Sequence, residues 1–231
     1  TEARRAFWES HKRELLALHR TCAGGLETAR SICGGVDAIV LDMHEHAAGE
    51  HSLKGSALVA LGGYGREEMS PCSDIDLLFV YDEDGQTRSR RGTGVDNNTF
   101  FNRLGERLIQ ALTEVTAEGF LYRVDMRLRP EGEPGPLVRS LRSHWIYYET
   151  RGELWERQML IKARRSAGSQ KLWRRFHQML TPFVYPAHFA VNPHTAIRQI
   201  KERIEAEVQD RPEKGNNIKL CPGGIRDVEF T

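Results

Sequence analysis

The amino-acid sequence predicts an α+β protein, a small mixed sheet with helices followed by a helical bundle, and three observations carry that expectation. Two short apolar runs, SALVAL (56–61) and IDLLFVY (75–81), have the length and residue types of buried strands. Residues 1 to about 50 and 97 to about 118 carry apolar positions at the three- and four-residue spacings of helices. Beyond PEGEPGP (130–136), too rich in proline for either element, the chain reads as helical over roughly 140–180 and 193–210. The expected division is an N-terminal helical segment (1–55), a core (56–136) and a helical domain (137–231), in a chain read as a fragment of a longer protein.

Each element has a local reason. Phe7, Leu15, Leu18 and Leu26 mark the first helical stretch, punctuated by Gly24-Gly25 and Gly34-Gly35. SALVAL runs into Gly62-Gly63, a strand followed by a turn, and Ser70-Pro71 marks a loop before the second strand. DEDGQTRSRRGTG (82–94) is polar and glycine-containing and reads as a mobile loop. The helix NNTFFNRLGERLIQALTEVTAE has Asn97 or Asn98 as N-cap and Gly119 as terminator. FLYRVDMRLR (120–129) alternates as a third strand would. Pro182, Pro186 and Pro193 join the later helices, and Trp145, Trp155 and Trp173 stand at helical positions as core residues.

Composition excludes several classes. Thirty-three basic and thirty-two acidic residues leave a formal charge of +1, so no general field attracts nucleic acid. No run approaches the roughly 20 apolar residues that span a bilayer, and the N-terminus lacks the apolar stretch of a signal peptide. Cys22, Cys33, Cys72 and Cys221 are scattered, which reads as reduced thiols in a cytoplasmic protein rather than a disulfide framework or a zinc site. His44 and His46 flank Glu45, but no ligand cluster lies nearby in sequence, and they read as a solvated helix or loop.

The chemistry-bearing pattern lies in LGGYGREEMSPCSDIDLLFV (61–80). Asp74 and Asp76, at i and i+2 on a strand, project from one face and repel unless a cation lies between them. Mg²⁺ takes one or two protein carboxylates and completes its shell with water and substrate phosphate. Gly62-Gly63 can bring backbone amides against phosphate oxygens, and the Ser73 hydroxyl can donate to the same group. Asp125, the acid of the third expected strand, would complete a site for two ions. Each part has a plainer reading: a turn, a solvated acidic pair, and a salt-bridge partner for Arg123, Arg127 or Arg129. The combination is far more restrictive than its parts.

This arrangement resembles the nucleotidyltransferase superfamily, in which a strand and hG[GS] turn precede [DE]h[DE]h. The likeness continues through VDMRLRPEGEPGPLVRS (124–140), YYETRGELWERQMLIKARRSAG (147–168), PFVY (182–185), IRQIKERIEAEV (197–208) and NIKLCPGGIRDVEF (217–230), which resemble the glutamine synthetase adenylyltransferase family. That resemblance implies a nucleotidyltransferase-type sheet, ATP or ADP and phosphate as substrates or products, and glutamine synthetase as the protein substrate. The family enzymes carry two related halves, one adenylylating a tyrosine and one removing the AMP by phosphorolysis. RGELWERQMLIKAR and GGIRDVEF are more similar to the AMP-removing half.

The turn GGYGR departs from the family's GKLGG type. It is similar to the uridylyltransferases that modify a nitrogen-regulatory signal protein, which makes that protein a further candidate partner. Metal ligation and catalysis are expected at Asp74, Asp76 and Asp125, and nucleotide or phosphate contacts at Gly62, Gly63, Ser73, Arg127, Arg129, Lys162 and Lys219. Arg127 and Arg129 alternate with Met126 and Leu128 and so share the face of Asp125, to clamp phosphate or to neutralise the acids. Lys162 and Arg164 are expected on a helix. Asp227 and Glu229 either add acidity to the site or begin a helix after Gly223-Gly224. A regulatory module that binds without chemistry is the remaining class, and the intact acid set argues against it.

Overall fold

The computed structural model describes residues 2–21, 24–48, 55–71, 73–88, 94–115, 122–189, 192–209, 218–219 and 222–230. Two helices lead, α1 (Glu2–Arg20) and α2 (Gly25–Ala48). Gly34-Gly35 falls inside α2 rather than breaking it; His11 of α1 packs there, where a Cβ on Gly35 would stand 2.1 Å from the ring.

The sheet is built on β1 (Ser56–Ala60) and β2 (Ile75–Tyr81), joined by the one-turn helix α3 (Gly62–Gly65). They pair antiparallel, with Leu58 opposite Phe79 and Ala60 opposite Leu77. Both strands read as unbroken apolar runs because both faces are covered. On one face Leu58, Ala60, Ile75, Leu77, Phe79 and Tyr81 pack with Ile32, Val36 and Val40 of α2 and with α4 (Asn97–Thr113). On the other, Ala57, Val59, Leu61, Leu78 and Val80 meet α5 (Leu141–Thr150), α6 (Leu154–Ile161) and α7 (Gln170–Val184).

Several expectations are corrected. Asp96, not Asn97 or Asn98, caps α4, accepting from the Thr99 amide at 2.9 Å. That helix ends at Thr113, and Gly119 lies outside the described residues. The polar loop contributes a hairpin, β3 (Gln86–Arg88) with β4 (Gly94–Asp96). The third strand is only β5 (Val124–Asp125), parallel to the start of β2. It stops because the Arg129 guanidinium gathers the carbonyls of Met126, Glu133 and Gly135 at 2.7, 2.6 and 3.1 Å, curling the chain into turns.

The helical region beyond residue 136 is not a separate bundle among the described residues. It supplies β6 (Val138–Ser140), parallel to β2, and β7 (Arg164–Gly168), antiparallel to β1, while α5 to α7 form the second cover of the sheet. Lys162 caps the C-terminus of α6 and Arg164 opens β7, so neither lies within the expected helix. In α7, Leu172, Phe176, Leu180 and Val184 are buried at four-residue intervals, and Pro182 sits within that helix.

Then α8 (Pro193–Gln209) and the short α9 (Ile225–Phe230) follow. Trp155 and Trp173 are partly buried against the second core, whereas Trp145 is half exposed and lines an open cavity of about 420 Å³ beside Arg175 and Asp82. His44 is fully buried, within 3.1 Å of the Ser56 hydroxyl, and so is not solvated. Cys33 is a buried free thiol; the other three cysteines lie outside the described residues. No helix among the described residues is long and apolar enough to cross a membrane.

Candidate active site

The β1–α3 turn and the first residues of β2 meet at one point. The Leu61 amide donates to the Asp76 carbonyl at 3.0 Å, holding the turn against the strand. Gly62 has φ +55°, a backbone that side chains resist, and a Cβ there would lie 2.1 Å from Asp76 Oδ2. Glycine is required at Gly62 on both counts. At Gly63 a Cβ would reach only ordinary contact, 3.6 Å from the Glu68 carbonyl.

Asp76 stands in register with Asp125 across β2 and β5. By strand alternation it shares its face with Leu78 and Val80, so its carboxylate emerges from the covered side of the sheet. Burial raises its pKa to about 6; the charges of Asp125 and Asp74 add to the rise, and Lys219 opposes it.

The flanking acids are differently placed. Asp125 accepts from the Arg127 backbone amide at 2.8 Å and from its guanidinium at 2.6 to 3.0 Å, contacts that hold its pKa below the usual carboxylate range. Asp74 accepts from Arg123 Nε at 2.7 Å, so Arg123 serves Asp74 and not Asp125. Arg127 thus lies on the acids, but Arg129 does not share that face, because its guanidinium is committed to the backbone turn. Ser73 is engaged locally: its hydroxyl lies 3.0 Å from the Ser70 amide and 3.0 Å from the Ser70 hydroxyl.

Glu229, weighed in the sequence as added acidity or a helix start, also comes close to the turn. Glu229 Oε1 accepts from Arg66 Nη2 at 3.2 Å and from Lys162 Nζ at 3.3 Å, tying α9 to the residue that follows the glycine turn and to the end of α6. Asp227 instead accepts from the Gly223 amide at 2.7 Å, the helix-start arrangement, and pairs with Lys201 of α8 at 3.0 Å. The only sequence signal for the Glu229 contact is its position in GGIRDVEF.

Among the described residues no three His, Cys, Asp or Glu side chains are gathered as a metal cage. The donor chemistry nevertheless fits a hard cation with oxygen ligands. Asp76 is a half-buried acid strained by two acidic neighbours, and those neighbours are held by arginines that are 68% and 75% exposed and can swing away.

Comparison with known proteins places the chain. The family model for glutamate-ammonia ligase adenylyltransferase matches residues 33–179, more than half of the chain, and a model for GlnD PII-uridylyltransferase matches residues 198–231. The bifunctional glutamine synthetase adenylyltransferase/adenylyl-removing enzyme of Hahella chejuensis is 43% identical over 196 residues, covering 83% of this chain and 20% of the relative. Proteins of the same name from Pseudomonas aeruginosa and Pseudomonas putida are 44% and 45% identical over 173 residues, covering 75% of this chain and 17% and 18% of theirs. The chain therefore spans about a fifth of the length of these curated relatives. On the family match and these identities, the chain belongs to the glutamate-ammonia ligase adenylyltransferase family.

Proposed function

We propose that this chain is a nucleotidyl-transfer module acting in the cytoplasm on a tyrosine of glutamine synthetase, and that it removes AMP by phosphorolysis. The observation that carries this reading is Asp76, set against the Gly62 turn and in register with Asp125. The relatives' printed name includes both adenylyl transfer and adenylyl removal, and the likeness of RGELWERQMLIKAR and GGIRDVEF to the removing half favours removal.

Asp74, Asp76 and Asp125 would hold Mg²⁺, expected as two ions. Bound magnesium supplies neutralisation of charge at the attacking and leaving oxygens. In removal, an oxygen of inorganic phosphate attacks the α-phosphorus of the AMP group, the bond from phosphorus to the tyrosine oxygen breaks, and the phenolate takes a proton from solvent, leaving ADP. Phosphate arrives anionic, so the protein must orient it rather than deprotonate it. The Gly62-Gly63 amides and the Ser73 hydroxyl are suited to the AMP phosphate. Arg127, released from Asp125, together with Lys162 and Lys219, is suited to the phosphate oxygens. Arg129, expected beside them, instead shapes the loop that follows Asp125.

The test offers adenylylated glutamine synthetase with phosphate, and separately unmodified enzyme with ATP. ADP from the first mixture is the expected result; pyrophosphate from the second alone would reverse the direction. A second reading, uridylyl transfer to a nitrogen-regulatory signal protein, draws on the match of residues 198–231 and on Tyr64-Gly65-Arg66. Labelling from UTP and not from ATP would replace the adenylyl reading with that one.

A further inference from the structure

Tyr64 directly follows the glycine pair, yet it points away from the acids and is fully buried. Its phenol donates to Asp37 Oδ1 at 2.5 Å, and the Ser166 hydroxyl lies 2.5 Å from the phenol and 2.9 Å from the same carboxylate. Arg164 donates to both oxygens of Asp37, at 2.7 and 3.2 Å. The same guanidinium reaches the Tyr64 backbone carbonyl at 3.3 Å and lies 5.3 Å from the centre of its ring. Residues from α2, α3 and β7, distant in sequence, thus converge on one side chain of the turn.

A phenylalanine would fill this space without the cost of burying a hydroxyl, and would leave the partly buried Asp37–Arg164 pair in place. What the phenol adds is position, because its short contacts with Asp37 and Ser166 tie one side chain of the turn to two other elements and admit few alternatives. The backbone is confined on the same side: a Cβ on Gly65 would lie 2.1 Å from the Lys162 carbonyl and 2.8 Å from that of Ala60. Toward the acids the limit is the contact of Gly62 with Asp76. The turn is gripped between the start of β7 and the strand that carries Asp76.

We propose that Asp37, Tyr64, Ser166 and Arg164 form a clamp that fixes the Gly62–Gly65 turn against Asp76, making Tyr64 a positioning residue for transfer. The inference rests on reading that turn and Asp76 as the transfer site. Burial, followed by the charge of Asp37, drives the Tyr64 pKa well up, so the phenol keeps its proton and remains a donor. A displacement of the turn by about 1 Å costs on the order of 100-fold in rate, because reacting groups lose alignment before they lose binding.

The test is Tyr64→Phe in the full chain, read by amide exchange and by steady-state kinetics of ADP release. The Gly65, Arg66 and Glu68 amides, which close the turn on Leu61, Gly62 and Gly63, should exchange about tenfold faster, while the β2 amides keep their protection. Turnover should fall about 10- to 100-fold in kcat, with KM within about threefold. Ser166→Ala, which removes the serine's contacts with the phenol and with Asp37 but keeps the phenol–carboxylate bond and the carboxylate–guanidinium pair, should shift both in the same direction by less. Unchanged turn exchange overturns the clamp, as does faster exchange with unchanged kcat. Equal acceleration in β2 assigns the network to general stability and also overturns it. If the unaltered chain releases no ADP, the functional reading fails, and the exchange result alone decides the clamp.

Discussion

The two ends of β2 obey opposite rules. From Leu77 to Tyr81 every residue is buried on one face or the other, and the buried imidazole of His144 lies 3.2 Å from the Phe79 carbonyl. At the other end, Asp74 and Asp76 sit with Asp125, three acids whose mutual repulsion is only partly relieved by Arg123 and Arg127. One half of the strand is optimised for packing, and the other holds charge at a cost in stability. That is the usual sign of a group retained for chemistry.

The largest expected effect separates the two costs. Asp76→Asn should reduce turnover by at least about 1,000-fold, the scale of losing a central electrostatic group. The metal-free protein should at the same time become more stable at pH 8 by about 1–3 kcal/mol, since relief of a pKa raised to about 6 is worth up to that much. Urea titration reads the second effect, and a destabilised variant would erase the contrast between the two ends.

In the packed half, Leu78→Ala should cost about 2–5 kcal/mol, because the side chain is fully buried and leaves a cavity. Activity at temperatures well below the melting point should be far less affected than stability. A loss under about 1 kcal/mol would show that this end is not tightly packed.

The ends should also titrate with opposite sign. The folded-state pKa of His144 is lowered by burial to about 4, so protonation favours the unfolded chain, and stability is lost as pH falls from about 6.5 toward 4. For Asp76 the folded value is raised from 3.8 to about 6, so metal-free stability is lost as pH rises through that window. Each contributes roughly 3 kcal/mol at most. Buried His44 is lowered to about 4 as well, so His144→Gln should remove only His144's share of the acid-side loss and leave the Asp76 slope, as measured by unfolding between pH 4 and 7; a profile identical to that of the parent would contradict the assignment.

The smallest effect concerns the exposed arginine. Arg127→Ala should change stability by less than about 1 kcal/mol, as exposed ion pairs do, while the Asp125 pKa rises toward its ordinary value. Carbon-detected titration of Asp125 reads the shift. A simultaneous rise in KM for phosphate would separate substrate contact from simple neutralisation of the acids.

Much of the packed half was legible in the sequence. Continuous apolar runs bounded by turns located β1 and β2, and the spacing of Gly62, Asp74 and Asp76 marked the candidate site before any contact was visible. Where local pattern and long-range pairing diverged, the sequence misled. RRSAG (164–168) is polar and falls within the stretch read as helical; it is a strand because it pairs along Ala57–Ala60 with the edge of β1 that β2 leaves open. The alternation of FLYRVDMRLR continues past Asp125, but Arg129 binds three backbone carbonyls and turns the chain away.

What the sequence alone determined, then, was the identity and strand spacing of the acids, the glycine before them and the family they mark, since these depend on neighbours within a few residues. Tertiary structure alone decided that Asp125 lies in register with Asp76, that the helices after residue 136 cover the sheet, and that Asp37 and Arg164 meet Tyr64. Those outcomes depend on which buried polar groups find partners across long stretches of chain, and a pattern of neighbouring residues carries no record of that pairing.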